Sequence, residues 1–211
     1  MREKRSFLIT ELILLFFAVP IILFLDVIPL LKLVSVLSAV VYVIITSRKN
    51  KLITLNSLLS FSIKTHWKRL LLTSVIVLSS SLIFMYLWHP EDMFIVVMRS
   101  PSLWIIIIFV YAFLSVIPQE LLYRSFFFSR YKDLFKNQNY LFLINIIVFP
   151  LAHIFLKNWL VLLVTLIGGI IFTLTYKKSK SLLITSLEHA IYGNWLFTIG
   201  MGEMLAFPMP H

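Results

Sequence analysis

The sequence predicts an all-α fold: a polytopic transmembrane helix bundle of about seven spans, with its N-terminus on the cytoplasmic side. Three observations predict it. Hydrophobic residues make up 60% of the 211-residue chain and charged residues only 13%, about half the charged share of an average soluble domain. Apolar runs of about 20 residues, the length that crosses a bilayer core, recur along the chain. Lys and Arg crowd alternate connections between those runs, as they do where a chain weaves across a membrane.

The first run, 7–25, follows the basic start MREKRSFLIT. No well-formed small-residue cleavage site comes after it, so it reads as a retained span and not a signal peptide. The second and third runs are 28–46 and 70–88. The fourth, 102–128, is too long for one perpendicular helix. Pro118 is expected to bend it or to start a new helical segment, because proline removes a hydrogen bond from the preceding turn. The last three runs are 139–156, 159–176 and 181–200. The stretch LITLNSLLSFSI at 52–63 lies between basic clusters. It reads equally as an interfacial helix on the inner leaflet or as a loop. No linker, low-complexity tract or internal repeat divides the chain, which reads as a single integral membrane domain, 1–211.

The charge of +10 is unevenly placed. Fifteen Lys and Arg fall in the N-terminus and the connections 47–69, 129–138 and 177–180, while Arg99 and Lys157 alone fall on the other side with Asp26, Glu91, Asp92 and Glu203. The basic side is cytoplasmic, so an odd number of spans leaves the C-terminus outside. The basic connections also suit anionic lipids of the inner leaflet. Nucleic acid is excluded as a partner, since no basic face with stacking aromatics is left over. The chain has no cysteine, which removes disulfides, thiolate metal sites and a cysteine nucleophile.

Ionisable groups at membrane depth are costly and usually face a bundle interior or cavity. Here they are Glu11, Lys32, Glu120, Arg124, His153, Glu188 and His189, joined by the amides of Asn145 and Asn194. A lone Glu11 or Lys32 is more often a helix contact than a catalyst. Three clusters differ. In QELLYR, Glu120 and Arg124 are four apart and fall within about 40° of each other on a helix, which fits an ion pair that offsets the burial of both. In FPLAH, Phe149 precedes His153 by four. In EHAIYGN, Asn194 follows His189 by five, with Gly193 between. Counting from the cytoplasmic ends, Glu120 and His189 lie roughly 12 Å deep and His153 roughly 21 Å deep. A bend at Pro150 would reduce that difference.

In these residues the chain resembles the CAAX-protease and bacteriocin-processing family of intramembrane proteases, which includes type II CAAX prenyl endopeptidases and bacterial Abi-type proteins. The family pattern is Glu-Glu-x-x-x-Arg, Phe-x-x-x-His and His-x-x-x-Asn on successive membrane helices. Here the three parts are Gln119-Glu120-x-x-x-Arg124, Phe149 to His153, and His189 followed by Asn194, within a protease-like core of approximately 102–200. The resemblance implies peptide hydrolysis near the cytoplasmic face, in a multi-pass protein of a bacterial plasma membrane. Its substrate would be a membrane-associated peptide or a lipidated protein. Glu120, His153, His189 and Asn194 are the implied catalytic residues, supported by Gln119, Arg124 and Phe149.

Two departures stand out. Gln119 occupies the place of the first glutamate and cannot take a proton, so either Glu120 takes over or this chain is weakened or inactive. Asn194 comes one residue late, which on an unbroken helix rotates it about 140° from His189. Gly193 can loosen the helix and shift the following turn. A metal-free site is preferred, with Glu120 as general base and His189 and Asn194 donating to the oxyanion. A zinc site held by Glu120, His153 and His189 is the alternative. From other functional classes, an immunity or scaffolding protein of the same fold fits Gln119. A transporter would need paired repeats or broken helices in both halves, and the first half shows neither.

Overall fold

The computed structural model describes residues 4–25, 27–52 and 63–205. Among them every regular element is helical. Six stretches are long and apolar enough to cross a membrane: α1 (Arg5–Phe24), α2 (Pro29–Lys49), α3 (described from Ile63, with Trp67–Trp88 apolar), α4 (Pro101–Tyr131), α5 (Gln138–Leu151, extended to Leu156 by a 3-10 turn) and α6 (Trp159–Ser179). The seventh predicted span is α7, Leu182–Thr198, of 17 residues. At 1.5 Å per residue it is about 26 Å long, slightly short of the bilayer core. The chain is thus an integral membrane protein of the all-α class. Most of the stretch 52–63, expected as an interfacial helix or a loop, lies outside the described residues.

Helix starts follow local chemistry. Proline opens α2 at Pro29 and α4 at Pro101, where its missing N–H is no loss. Asn137 Oδ1 accepts from the Asn139 N–H to cap α5, and Ser181 Oγ accepts from the Ile184 N–H to cap α7. Such caps satisfy donors that the first turn leaves over.

Pro118 breaks nothing outright, but the helix around it is rewound. α4 carries π-helical turns at Tyr111–Val116 and Leu121–Phe126, on either side of the short α-helical Ile117–Glu120. α1 repeats the device, with a π-helical Leu14–Ala18 just before Pro20. Proline takes away the N–H that would bond the carbonyl four residues earlier, and a widened turn is one way to absorb that loss. Such turns are common at functional sites.

The chain forms two compact units, each from two separate segments. The first comprises Met1–Leu58 and Leu121–Leu174. Its centre is aromatic: Phe16 packs edge-on against Tyr123, Phe127 and Tyr131 at 5.1–6.1 Å between ring centroids. Glu11, only 5% exposed, sits beside this cluster. It accepts from Arg130 Nε at 2.8 Å, from the Tyr131 hydroxyl at 2.9 Å and from the Tyr42 hydroxyl at 2.5 Å. Glu11 is therefore a tie between α1, α2 and α4, the contact expected of a lone carboxylate. Arg130, which the sequence places among the cations of a cytoplasmic connection, has its side chain largely withdrawn from solvent as the partner of Glu11.

The second unit comprises Leu59–Glu120 and Thr175–His211. Here α7 packs on α3, on the short helix Ile95–Arg99 and on the first part of α4. Phe197 and Val96 are buried at its core, against Leu103, Trp104 and Tyr111. Glu188 is buried as well, accepting from the hydroxyls of Thr73 at 3.1 Å and Tyr192 at 3.0 Å, with Arg69 at 3.6 Å.

Candidate active site

The second unit brings together two of the expected residues. Glu120 ends the α-helical turn between the two π segments of α4, and His189 lies in the first half of α7. His189 Nδ1 is 2.9 Å from Glu120 Oε1. Glu120 is fully buried and His189 is 6% exposed. An ionised carboxylate accepts only, so where Glu120 is ionised Nδ1 carries the shared hydrogen and the imidazole donates it. The other ring nitrogen, Nε2, is 3.1 Å from the hydroxyl of Tyr111. Sequence reasoning does not pick out Tyr111. It stands in an apolar run, WIIIIFVYAFLSV, where nothing marks it for polar work.

Gln119 turns its Nε2 to the hydroxyl of Ser115 at 2.8 Å, one turn earlier in α4. Its Oε1 is buried and accepts no hydrogen bond from the described residues. A buried amide oxygen of this kind is a place where water can be held.

Asn194 lies elsewhere on α7. That helix is unbroken from Leu182 to Thr198, so Gly193 does not loosen it and the shifted turn expected after it does not form. The Asn194 amide donates to the carbonyl of Ile108 at 3.4 Å. Gly193 is required for a different reason: a Cβ at that position would overlap the ring and hydroxyl of Tyr111.

The remaining motif residues belong to the first unit. Arg124 is fully buried and donates from Nη1 to Asn145 Oδ1 at 2.9 Å. Its guanidinium lies 4.8 Å from the centre of the Phe149 ring. That stacking is a physical reason for the phenylalanine of the motif, since an aromatic face stabilises a desolvated cation. Asn145 also donates to the Tyr123 carbonyl at 2.6 Å and accepts from the Thr173 hydroxyl at 2.9 Å. It is the polar centre of this unit. Two asparagines therefore serve the rewound helix: Asn145 meets a carbonyl within its second π segment, and Asn194 meets one just before the first.

His153 is not on a helix as expected. α5 ends at Leu151, one residue past Pro150, and His153 sits in the turn that follows. Pro150 has no N–H for the Ile146 carbonyl. Gly169 of α6 faces that carbonyl, and a Cβ there would stand 3.2 Å from it. His153 Nδ1 is 3.0 Å from the carbonyl oxygen of Phe149, with the two rings 5.3 Å apart.

These environments bear on the zinc alternative. A metal-ligating imidazole offers one nitrogen to the ion and donates from the other to a fixed acceptor. His153, with Nδ1 on a backbone carbonyl, suits that arrangement. His189 does not, because with Nδ1 on Glu120 the nitrogen left for an ion, Nε2, already faces the Tyr111 hydroxyl. An ion would have to displace the phenol or part the carboxylate from the imidazole. The donor set at His189 fits a hydrogen-bonded chain better than a metal shell.

Residues 101–195 match the family described as type II CAAX prenyl endopeptidase Rce1-like. The Rce1-like segment begins with α4 and runs through α5 and α6 into α7, so Glu120, Arg124, Phe149, His153, His189 and Asn194 all lie within it. It bears out the resemblance to CAAX proteases read from the three motif parts. No curated protein and no solved structure matches the chain. At family level the Rce1-like match supports a CAAX-type intramembrane protease.

Proposed function

We propose that this chain is an endopeptidase of a bacterial plasma membrane that cleaves a membrane-associated peptide or lipidated protein near the cytoplasmic face. The observation that carries the proposal is the buried 2.9 Å contact between Glu120 and His189, inside the segment that matches the protease family. Two protonatable groups held this close, away from water, suit proton transfer to and from a reacting peptide. Glu120 takes a proton from water as the hydroxide attacks the scissile carbonyl. The proton then passes to the leaving amine as the tetrahedral intermediate collapses. His189 holds the carboxylate in place throughout.

Gln119 cannot serve as the base, but its buried oxygen can accept a hydrogen bond from the attacking water. Arg124, stacked on Phe149 and bonded to Asn145, is assigned a supporting role. His153 is assigned to the same reaction through the motif and the family match. Asn194, which donates to a backbone carbonyl, is assigned the task of holding α4 and α7 in register. Anionic lipids of the inner leaflet are proposed as neighbours of the basic connections.

A second reading is favoured by Gln119 and by the complete burial of Glu120: an immunity or scaffolding protein that keeps the fold and has lost the chemistry. Purified protein in lipid nanodiscs, given a farnesylated C-terminal peptide and its unlipidated counterpart, separates the two. The proposal expects a defined product by mass spectrometry, with more of it after Gln119→Glu. No cleavage by either form contradicts it and selects the second reading.

A further inference from the structure

His189 is held at both ends. Its Nδ1 faces Glu120 at 2.9 Å and its Nε2 faces the Tyr111 hydroxyl at 3.1 Å. The Tyr111 ring meets the imidazole edge to face, with centroids 6.0 Å apart, and leans on Phe197 at 5.1 Å in the same manner. The ring occupies the space that a side chain at residue 193 would otherwise need. Tyr111 opens the first π segment of α4, and the Asn194 amide binds the same helix three residues earlier, at Ile108. The phenol is thus fixed by packing, by helix winding and by a glycine that makes room for it.

We propose that Tyr111 is a positioning residue for His189. This rests on the hydrolytic reading of the Glu120–His189 pair and adds a third member to it. With Glu120 ionised, as the hydrolytic reading requires of a base, the protons have one placement. An ionised Glu120 can only accept, so Nδ1 carries the hydrogen, Nε2 is left with a lone pair, and the phenol donates to it. Tyr111 therefore selects the tautomer that aims a proton at Glu120, much as a carboxylate fixes the imidazole in a Ser-His-Asp triad from its other side. Removing the hydroxyl leaves a buried acceptor unmet and frees the ring to rotate or change tautomer. Gly193 belongs to the same device, since any larger residue there would push the phenol away.

The test is Tyr111→Phe in the full chain in nanodiscs, which keeps the ring and its packing. Two measurements are made on wild type and variant: the kinetics of peptide cleavage across pH, and the side-chain 15N NMR signals of His189 in histidine-labelled protein. The inference expects kcat to fall at least about tenfold with KM nearly unchanged, the pH profile to move, and the wild-type Nδ1–H tautomer signal to be lost. Unchanged kinetics with an unchanged tautomer would overturn it, whether or not the protease reading stands. If wild type cleaves nothing while Tyr111→Phe still alters the His189 signals, the positioning contact stands and the protease reading fails. Should Tyr111→Phe not fold, a fluorotyrosine placed at 111 changes the phenol's donor strength at nearly constant volume. It must then shift the His189 signals, and no shift would overturn the inference.

Discussion

Phe149 lies across the guanidinium of Arg124, 4.8 Å from ring centre to carbon, in a position where Arg124 has no access to solvent. A charge so placed is tolerated only if its surroundings replace water. The ring covers one face, and Asn145 meets Nη1 at 2.9 Å. Two residues separated from Arg124 in sequence, one aromatic and one amide, thereby offset the burial of a cation.

Asn145 is accordingly expected to matter for stability. Asn145→Leu keeps the volume but removes a hydrogen bond to a charged group and uncovers the Tyr123 carbonyl. Hydrogen bonds to charged groups are worth about 1.5–3 kcal/mol. Thermal unfolding in detergent should show a midpoint several degrees below wild type. A midpoint within a degree of wild type would remove Asn145 from its place at the centre of this unit.

Topology can be settled independently of chemistry. The distribution of Lys and Arg predicts a cytoplasmic N-terminus and an external C-terminus, which requires the 17-residue α7 to cross the bilayer. Reporter fusions after Lys178 and after Phe207 should then report opposite sides. The same side for both would mean that α7 does not span and that the chain crosses an even number of times.

Much of this architecture is legible in the amino-acid sequence alone. Seven apolar runs each fall on a helix, and most ends agree within a few residues because apolar length marks the part of a helix that can cross a bilayer. The third helix starts earlier, at Ile63, because its first turn is polar. Glu120 and His189 are legible as a pair because ionisable residues at matching depth in apolar helices are conspicuous. Three features are not. The π turns of α4 leave no periodic signature, and a proline alone announces a bend without describing it. Tyr111 is hidden because a tyrosine in an apolar helix is indistinguishable by composition from one that merely packs. Gly193 suggests a loosened helix, whereas its role is steric and depends on a side chain some eighty positions away. Arg130 is counted in the sequence only as a cation of a basic connection, and its pairing with Glu11, which is distant in sequence, comes from the fold.

The central claim is that Glu120 handles a proton in peptide hydrolysis and is more than the partner of His189. The measurement that tests it most directly is cleavage of a membrane-tethered peptide by Glu120→Gln, taken together with the thermal midpoint of the same preparation. Glutamine preserves shape and can still bond to His189, so the fold should be retained. Loss of a general base costs about 10²–10⁴-fold in rate. The account predicts a fall of that size in a protein that melts close to wild type. Cleavage at the wild-type rate by a well-folded Glu120→Gln protein would contradict it.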